Sequence, residues 1–308
     1  MPNVREIRNR IRSVKNIGQV TRALEAVSAS RARKAQAQAL ASRAYAQKAW
    51  EVLVNVASQN QGGVPLHPLL EVRPRVRNIT ILLISGDRGL AGTYNANIIR
   101  TALQFARLHG DSNHREVRWV TVGRKGRDAL LRRRQMVVAE FSNLPAEPSI
   151  QTVVPIARAV IDEFIEGMAD QIFIAYTDFI NTLAQRAVVL NLLPLRPFQA
   201  ENQAVSEYVK REPTVTTRGR EYIYEPSPAA ILEEVLPRFT ELQIYQAILE
   251  SLASEHSARM VAMRNASENA EALAADLQLT FNKARQMAIT SEILDIVGGV
   301  EALSAQTE

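Results

Sequence analysis

The sequence predicts an α/β protein in which a long antiparallel two-helix coiled coil, formed by the N- and C-terminal segments, carries an inserted Rossmann-like α/β domain. Three observations predict it. From Arg238 to Val297 the chain runs sixty residues without Gly or Pro, and the first sixty residues hold only Pro2 and Gly18 of these two types. Charge is divided between the ends: residues 1–60 carry eleven Lys/Arg against three Asp/Glu, and residues 230–308 carry twelve Asp/Glu against five Lys/Arg. The middle of the chain alternates short β-rich runs with amphipathic helical stretches. The expected boundaries are an N-terminal helix over 1–60, the α/β domain over 75–200, a linker over 201–227 and a C-terminal helix over 228–308, with the two helices forming one unit.

At 1.5 Å per residue the C-terminal run would span roughly 90 Å, too long for a helix inside a globule, so it needs a partner along its length. The basic N-terminal helix is the nearest candidate, and the charge contrast steers that pairing more than it stabilises it. Leu249, Leu252, His256, Met263, Ala266, Ala270, Leu273, Leu277, Ala284 and Met287 fall on one ladder of threes and fours, as do Ile7, Ile11, Val14, Ile17, Val20, Leu24 and Val27. Alanine recurs where leucine would be expected, so the helices should pack closely and weakly. Three successive threes between Ile11 and Val20 read as a stammer, which predicts local overwinding.

Residues 78 to 84, NITILLI, predict a strand that stops at Ser-Gly-Asp-Arg-Gly, and a helical pattern follows from Asn95 to Leu108. Val117 to Val122 predicts a second strand, Arg124 to Arg134 a basic helix and Met136 to Phe141 a third strand. Ile150 to Met168 has Ile156, Val160, Ile161, Phe164 and Ile165 on one helical face. Gln171 to Tyr176 and Ala187 to Leu193 complete the strands, and the short connection between them permits an antiparallel edge pair on an otherwise parallel sheet. The final helix is expected to start near Pro228 or Pro237.

The composition, 46% hydrophobic and 22% charged, is that of a soluble protein. Zero cysteines exclude a disulfide framework, a thiolate metal site and a thiol nucleophile. No apolar run reaches the eighteen or so residues a membrane span needs, and the start MPNVREIRNR has no apolar signal core, which leads to the expectation of a cytosolic protein able to join a membrane complex peripherally. A pI of 9.6 would suit nucleic acid, yet the basic excess lies on a helix facing an acidic one.

Catalytic chemistry is hard to find. The loop Gly86-Asp87-Arg88-Gly89-Leu90-Ala91-Gly92 stands where a dinucleotide site would, but its spacing is G-x-x-G-x-x-G, and the second strand ends in TVGR without a ribose-binding acid. The preferred reading is a tight turn in which Asp87 and Arg88 make local or partner contacts. His67, His109, His114 and His256 lack metal-ligand spacing. His256 lies on the seam, where a polar residue more often sets register. No catalytic, cofactor-binding or metal-binding residue is therefore assigned, and the residues alone suggest a mechanical or scaffolding protein.

The stretch SEHSARMVAMRNASENAEALAADLQLTFNKARQMAITSEILDIVGGVEAL from Ser254 resembles the end of the γ subunits of F-type ATP synthases. REIRNRIRSVKNIGQVTRALEAVSASRARKAQ and SGDRGLAGTYNANI resemble that family's first helix and first strand-loop-helix, and Tyr222-Ile-Tyr-Glu-Pro226 also matches, so the resemblance runs over essentially the whole chain. It implies a non-catalytic central rotary shaft set inside a hexamer of α and β subunits. Such a shaft couples rotation of a proton-driven c-ring to conformational cycling of three β catalytic sites, with ε and δ as further partners, no cofactor, no nucleic acid and no membrane insertion. The implied place is the cytoplasmic face of a bacterial cell membrane.

Carried over by residue, the resemblance implies β-subunit contacts at Arg285, Gln286 and Thr290 in RQMAIT and at Arg259 in SARM. The competing reading is an exposed, solvated helix face. Arg31, Arg33 and Lys34 are placed to meet an acidic β lever, and Tyr222, Tyr224 and Glu225 match the foot that contacts the c-ring and ε. Ile293, Leu294, Ile296 and Val297 would sit in a sleeve made by the hexamer. Ala91 stands where many relatives carry Cys, and the cysteine-bearing insertion of plastid members is absent between Lys210 and Tyr222, which together imply no thiol control. Two rivals remain: a free-standing α/β nucleotide-binding enzyme with helical extensions, and a coiled-coil adaptor for nucleic acid.

Overall fold

The computed structural model describes residues 4–58, 67–110, 115–196 and 227–304. Within them run helix α1 (Val4–Ser58), strand β1 (Asn78–Ile84), α2 (Tyr94–His109), β2 (Glu116–Val122), α3 (Arg124–Leu131), β3 (Met136–Phe141), α4 (Ile150–Ile165), β4 (Gln171–Phe179), β5 (Gln185–Leu193) and α5 (Pro228–Ser304). Most of the expected linker lies outside the described residues. The chain groups into two compact units, residues 28–259 and residues 1–27 with 260–308.

In the unit of residues 28–259 a five-stranded sheet has the order β3-β2-β1-β4-β5, parallel except for β5, which returns antiparallel to β4. The hairpin geometry forces that exception, since five residues between strands cannot make a parallel crossover. Alternate β1 side chains serve opposite faces, as a pleated strand requires. Ile79, Ile81 and Leu83 pack with Ile98, Ala102 and Ala106 of α2 and with Trp119. Leu82 and Ile84 pack with Val153, Ile156, Val160 and Phe164 of α4, with Trp50 of α1, and with Leu232, Leu236, Phe239, Ile244 and Ile248 of α5. Both faces of the sheet are thus covered, and the second face is closed by the chain's own long helices. That coverage explains why the strands read as continuous apolar runs. Helix α5 begins at Pro228, with the Ser227 hydroxyl accepting from Ala230 N–H at 3.3 Å, and Pro237 falls inside the helix.

The two helices are antiparallel wherever they touch. In the unit of residues 28–259 the Gln246 amide donates to Ala39 O at 3.0 Å, and Ser28, Ala32, Ala35 and Ala39 form the buried side of α1. In the other unit Glu25 pairs with Arg264 at 2.9 Å, Ser267 donates to Gly18 O at 3.3 Å, and Phe281 packs on Ile7 and Ile11.

The seam differs from the one expected. Ile17, Val20 and Val27 are about half exposed, and Gly18, Thr21 and Ser28 take their places, so α1 holds a regular alternation of fours and threes from Ile7 onward. No stammer is needed. In α5 the expected Met263, Ala270, Leu277 and Ala284 do face inward, but Ser267, Ala274 and Phe281 fill the alternate positions, leaving Leu273 and Met287 half exposed. The reason is geometric. Each step of three turns a residue about 60° backwards around the helix, so three in succession carry an apolar side chain off the partner, whatever its hydrophobicity.

Candidate functional site

The topological switch of this sheet lies beside the C-terminal end of β1, where a doubly wound fold ordinarily opens a ligand crevice. Here the loop after β1 is fixed from within the chain. Gly86 N–H donates to Asn95 Oδ1 at 2.8 Å, and the Asn95 amide donates back to Arg88 O at 3.2 Å, tying the loop to the first turn of α2. The Asp87 carboxylate accepts from Arg124 N–H at 3.1 Å and from Asn143 N–H at 2.9 Å, so it joins the ends of β1, β2 and β3. The Ser85 hydroxyl accepts from Gly126 N–H at 2.8 Å beneath it. Asp87 thus makes the local contacts expected from sequence.

Helix α5 then fills the crevice. Ile248, Ser251, Leu252 and Glu255 line what is left of it, a cavity of about 60 Å³ that has room for a water or two and none for a nucleotide. Glu255 ion-pairs with Arg259, and its carboxylate lies 2.9 Å from where a Cβ on Gly86 would be. Arg259 reaches Gly89 O at 3.4 Å and donates to His256 Nδ1 at 3.2 Å. Because that nitrogen accepts, the imidazole proton is assigned to Nε2. Burial, reinforced by the nearby Arg259 and Arg31 guanidinium groups, pushes the His256 pKa down to about 4. Two residues before His256 the Ser254 hydroxyl donates to Thr177 O at 3.2 Å. The Tyr94 phenol bonds Ser251, and burial pushes its pKa well above its ordinary value. The Glu255 carboxylate at the crevice and the lack of room are both unfavourable to a phosphate. This arrangement clamps a helix to a sheet, and it carries no nucleophile with a base at hand.

The residues that the resemblance singles out are dispersed. Arg259 is nearly buried in the clamp. Arg31 borders His256 from α1, while Arg33 is exposed and Lys34 pairs with Glu147 at 2.8 Å. Arg285 and Gln286 are exposed on α5, as is Thr290, whose hydroxyl bonds Gln286 O at 2.9 Å. Ile293, Leu294, Ile296 and Val297 are all more than half exposed, and every described side chain from 285 to 298 faces solvent. Tyr222, Tyr224 and Glu225 lie outside the described residues. Sequence reasoning missed Glu255, Tyr94 and Asn95. The i,i+4 spacing of Glu255 and Arg259 was the available signal for the first of these. Nothing in the sequence marked the other two as partners of α5 and of the loop.

The chain was compared with known proteins. The family described as ATP synthase matches residues 3–303. An ATP synthase gamma chain from Dehalococcoides mccartyi is 48% identical over 304 residues, covering 99% of this chain and 100% of that one. The ATP synthase gamma chain of Roseiflexus castenholzii is 44% identical over 304 residues, covering 99% of each. Among solved structures, a chain of the Euglena gracilis mitochondrial ATP synthase in rotational state 3 superposes with a TM-score of 0.63 at 19% identity, over 99% of this chain and 96% of that one.

Proposed function

The chain belongs to the ATP synthase gamma-chain family, and from that membership we propose that it is the central rotary shaft of a bacterial, proton-translocating F-type ATP synthase. Its relatives are named as the gamma chain of an ATP synthase. Catalysis is assigned to the β subunits of the surrounding hexamer, and the complex to the cytoplasmic face of the cell membrane. No described helix is long and apolar enough to cross a membrane, which fits a peripheral subunit.

The observation that carries this reading is the end of α5, which has no partner among the described residues. The seam with α1 closes at Ala284, and the helix continues to Ser304 with Arg285, Gln286, Thr290, Ile293, Leu294, Ile296 and Val297 turned outward. A lone helix with that much exposed apolar surface requires a sleeve. Arg285, Gln286 and Thr290 then meet β below the sleeve, Arg259 acts from the base of the first loop, and Arg31, Arg33 and Lys34 meet an acidic β lever. Tyr222, Tyr224 and Glu225 form the foot on the c-ring and ε. The helices 1–60 and 228–308 transmit torque, and the α/β portion 75–200 braces them at the foot. An asymmetric shaft stabilises a different conformation in each β subunit, so coupling is a mechanical population shift.

Co-expression of the chain with the α and β subunits of its organism, followed by native mass spectrometry and an ATPase assay, tests the reading. One copy per hexamer is expected, with coupled activity lost on deletion of residues 289–308. A chain that fails to join the hexamer would overturn it.

A further inference from the structure

The basic run proposed to meet an acidic β lever is partly occupied from within the chain. Lys34 donates to Glu147 at 2.8 Å, and among the described residues this is the single ion pair that joins α1 to the α/β portion. On the shaft reading and its lever contact at Lys34, we propose that Glu147 is a resident competitor of the lever, a carboxylate that holds Lys34 between encounters and is displaced when a lever carboxylate takes the ammonium.

Three observations carry this. The first is the loop that bears Glu147, Leu144-Pro145-Ala146-Glu147-Pro148-Ser149. Pro145 fixes its own φ, and Pro148 keeps Glu147 extended. Asn143 N–H is tied to Asp87, Leu144 packs on the core, and Ser149 and Thr152 make a capping box on α4. The carboxylate therefore stays within reach of Lys34 with little backbone freedom left to lose. The second is exposure, 63% for the Lys34 side chain and 54% for that of Glu147. A pair so open to water is held weakly, and an approaching carboxylate can enter without dehydrating a buried charge. The third is the cation itself. An ammonium is a compact charge with three rotatable donors and demands no planar, two-pronged partner, so one carboxylate replaces another by side-chain rotation alone.

Engaging the lever at Lys34 is then an exchange: one N–H···O bond forms as another is lost, and release returns the lysine to Glu147. Neither step leaves the ammonium bare. A competitor of equal affinity leaves Lys34 available for about half the time and weakens lever binding about twofold. Without it, each lever should be held more tightly and released more slowly.

The test treats the full chain, assembled with its α and β subunits, with a zero-length carbodiimide, which joins an amine to a carboxylate in contact. Peptide mapping is expected to find Lys34 joined both to Glu147 and to a carboxylate of β. Glu147→Gln keeps the shape and removes the charge. It should raise the product with β about twofold and slow ATP hydrolysis at low ionic strength by a similar factor. The slowing should vanish toward 1 M salt, where screening shortens to about 3 Å. Glu147→Asp, which keeps the charge, should stay near the native yield. An unchanged or lower yield with β in E147Q, equal hydrolysis at low salt, or no product with Glu147 in the native complex would overturn the inference. Lys34 joined to Glu147 alone, in a complex with one copy of the chain per hexamer, would also overturn it and leave the shaft reading standing. A chain that fails to join the hexamer would strike the shaft reading, and the competitor with it.

Discussion

Two glycines near the crevice meet different kinds of neighbour. A Cβ on Gly86 would meet the Glu255 carboxylate at 2.9 Å, and one on Gly123, at φ +94°, would stand 2.0 Å from Ser85 O. Gly86→Ala should cost about 1–3 kcal/mol, because a side chain can yield. A second change, Glu255→Asp, should return part of that cost in a double-mutant cycle followed by urea unfolding. Gly123→Ala should cost more than about 3 kcal/mol, since backbone cannot move aside and the conformation is itself strained. His256 gives a pH signature. Its folded pKa near 4 lies below the unfolded value of 6.5, so the unfolded chain binds more protons between those values. This contribution is whole above pH 6.5, and falls away toward pH 4 by up to roughly 3 kcal/mol. His256→Gln should flatten the difference in unfolding free energy between pH 4.5 and 7. At this scale the sequence was only partly legible. It marked His256 as a seam residue and Gly86 as a turn, but not the carboxylate that makes the glycine necessary.

The elements themselves were far easier to read, because each has its own periodicity. All five strands and the three short helices fall where the apolar patterns placed them, with β4 longer at the hairpin by Thr177, Asp178 and Phe179 and β5 by Gln185 and Arg186. The α1 seam was misread because valine and isoleucine were ranked above glycine and threonine, whereas close helix approach selects small residues and a constant 3.5-residue period. The corrected register makes a discriminating prediction. Ile17→Ala, on an exposed side chain, should shift stability by no more than about 0.5 kcal/mol. Ile11→Ala, buried against Phe281, should cost about 2–4 kcal/mol. The helical circular dichroism signal during urea unfolding at low protein concentration would separate them. Equal effects at both positions would restore the register read from sequence.

For the whole molecule, the exposed tip decides behaviour. Ile289, Ile293, Leu294, Ile296 and Val297 on one helix make an apolar surface that an isolated chain cannot cover. The chain alone should self-associate at micromolar concentration in sedimentation velocity, and deletion of residues 289–308 or addition of the α and β subunits should reverse this. A freely monodisperse full-length monomer would count against the sleeve. Coupling through Arg31, Arg33 and Lys34 should weaken as salt rises toward 1 M, where screening shortens to about 3 Å. Triple reversal of these residues to Glu should lower ATP-driven proton pumping while leaving uncoupled hydrolysis less affected.

The sequence by itself determined the two paired terminal helices and the mostly parallel sheet between them, since these follow from local periodicity and charge division. The order of the strands, the register of the helices and the closing of the ligand crevice were decided only in three dimensions. Each depends on contacts between residues far apart in the chain. Glu255 meets Gly86 across 169 positions, and no local pattern carries the information that the side of a helix will occupy the place of a ligand.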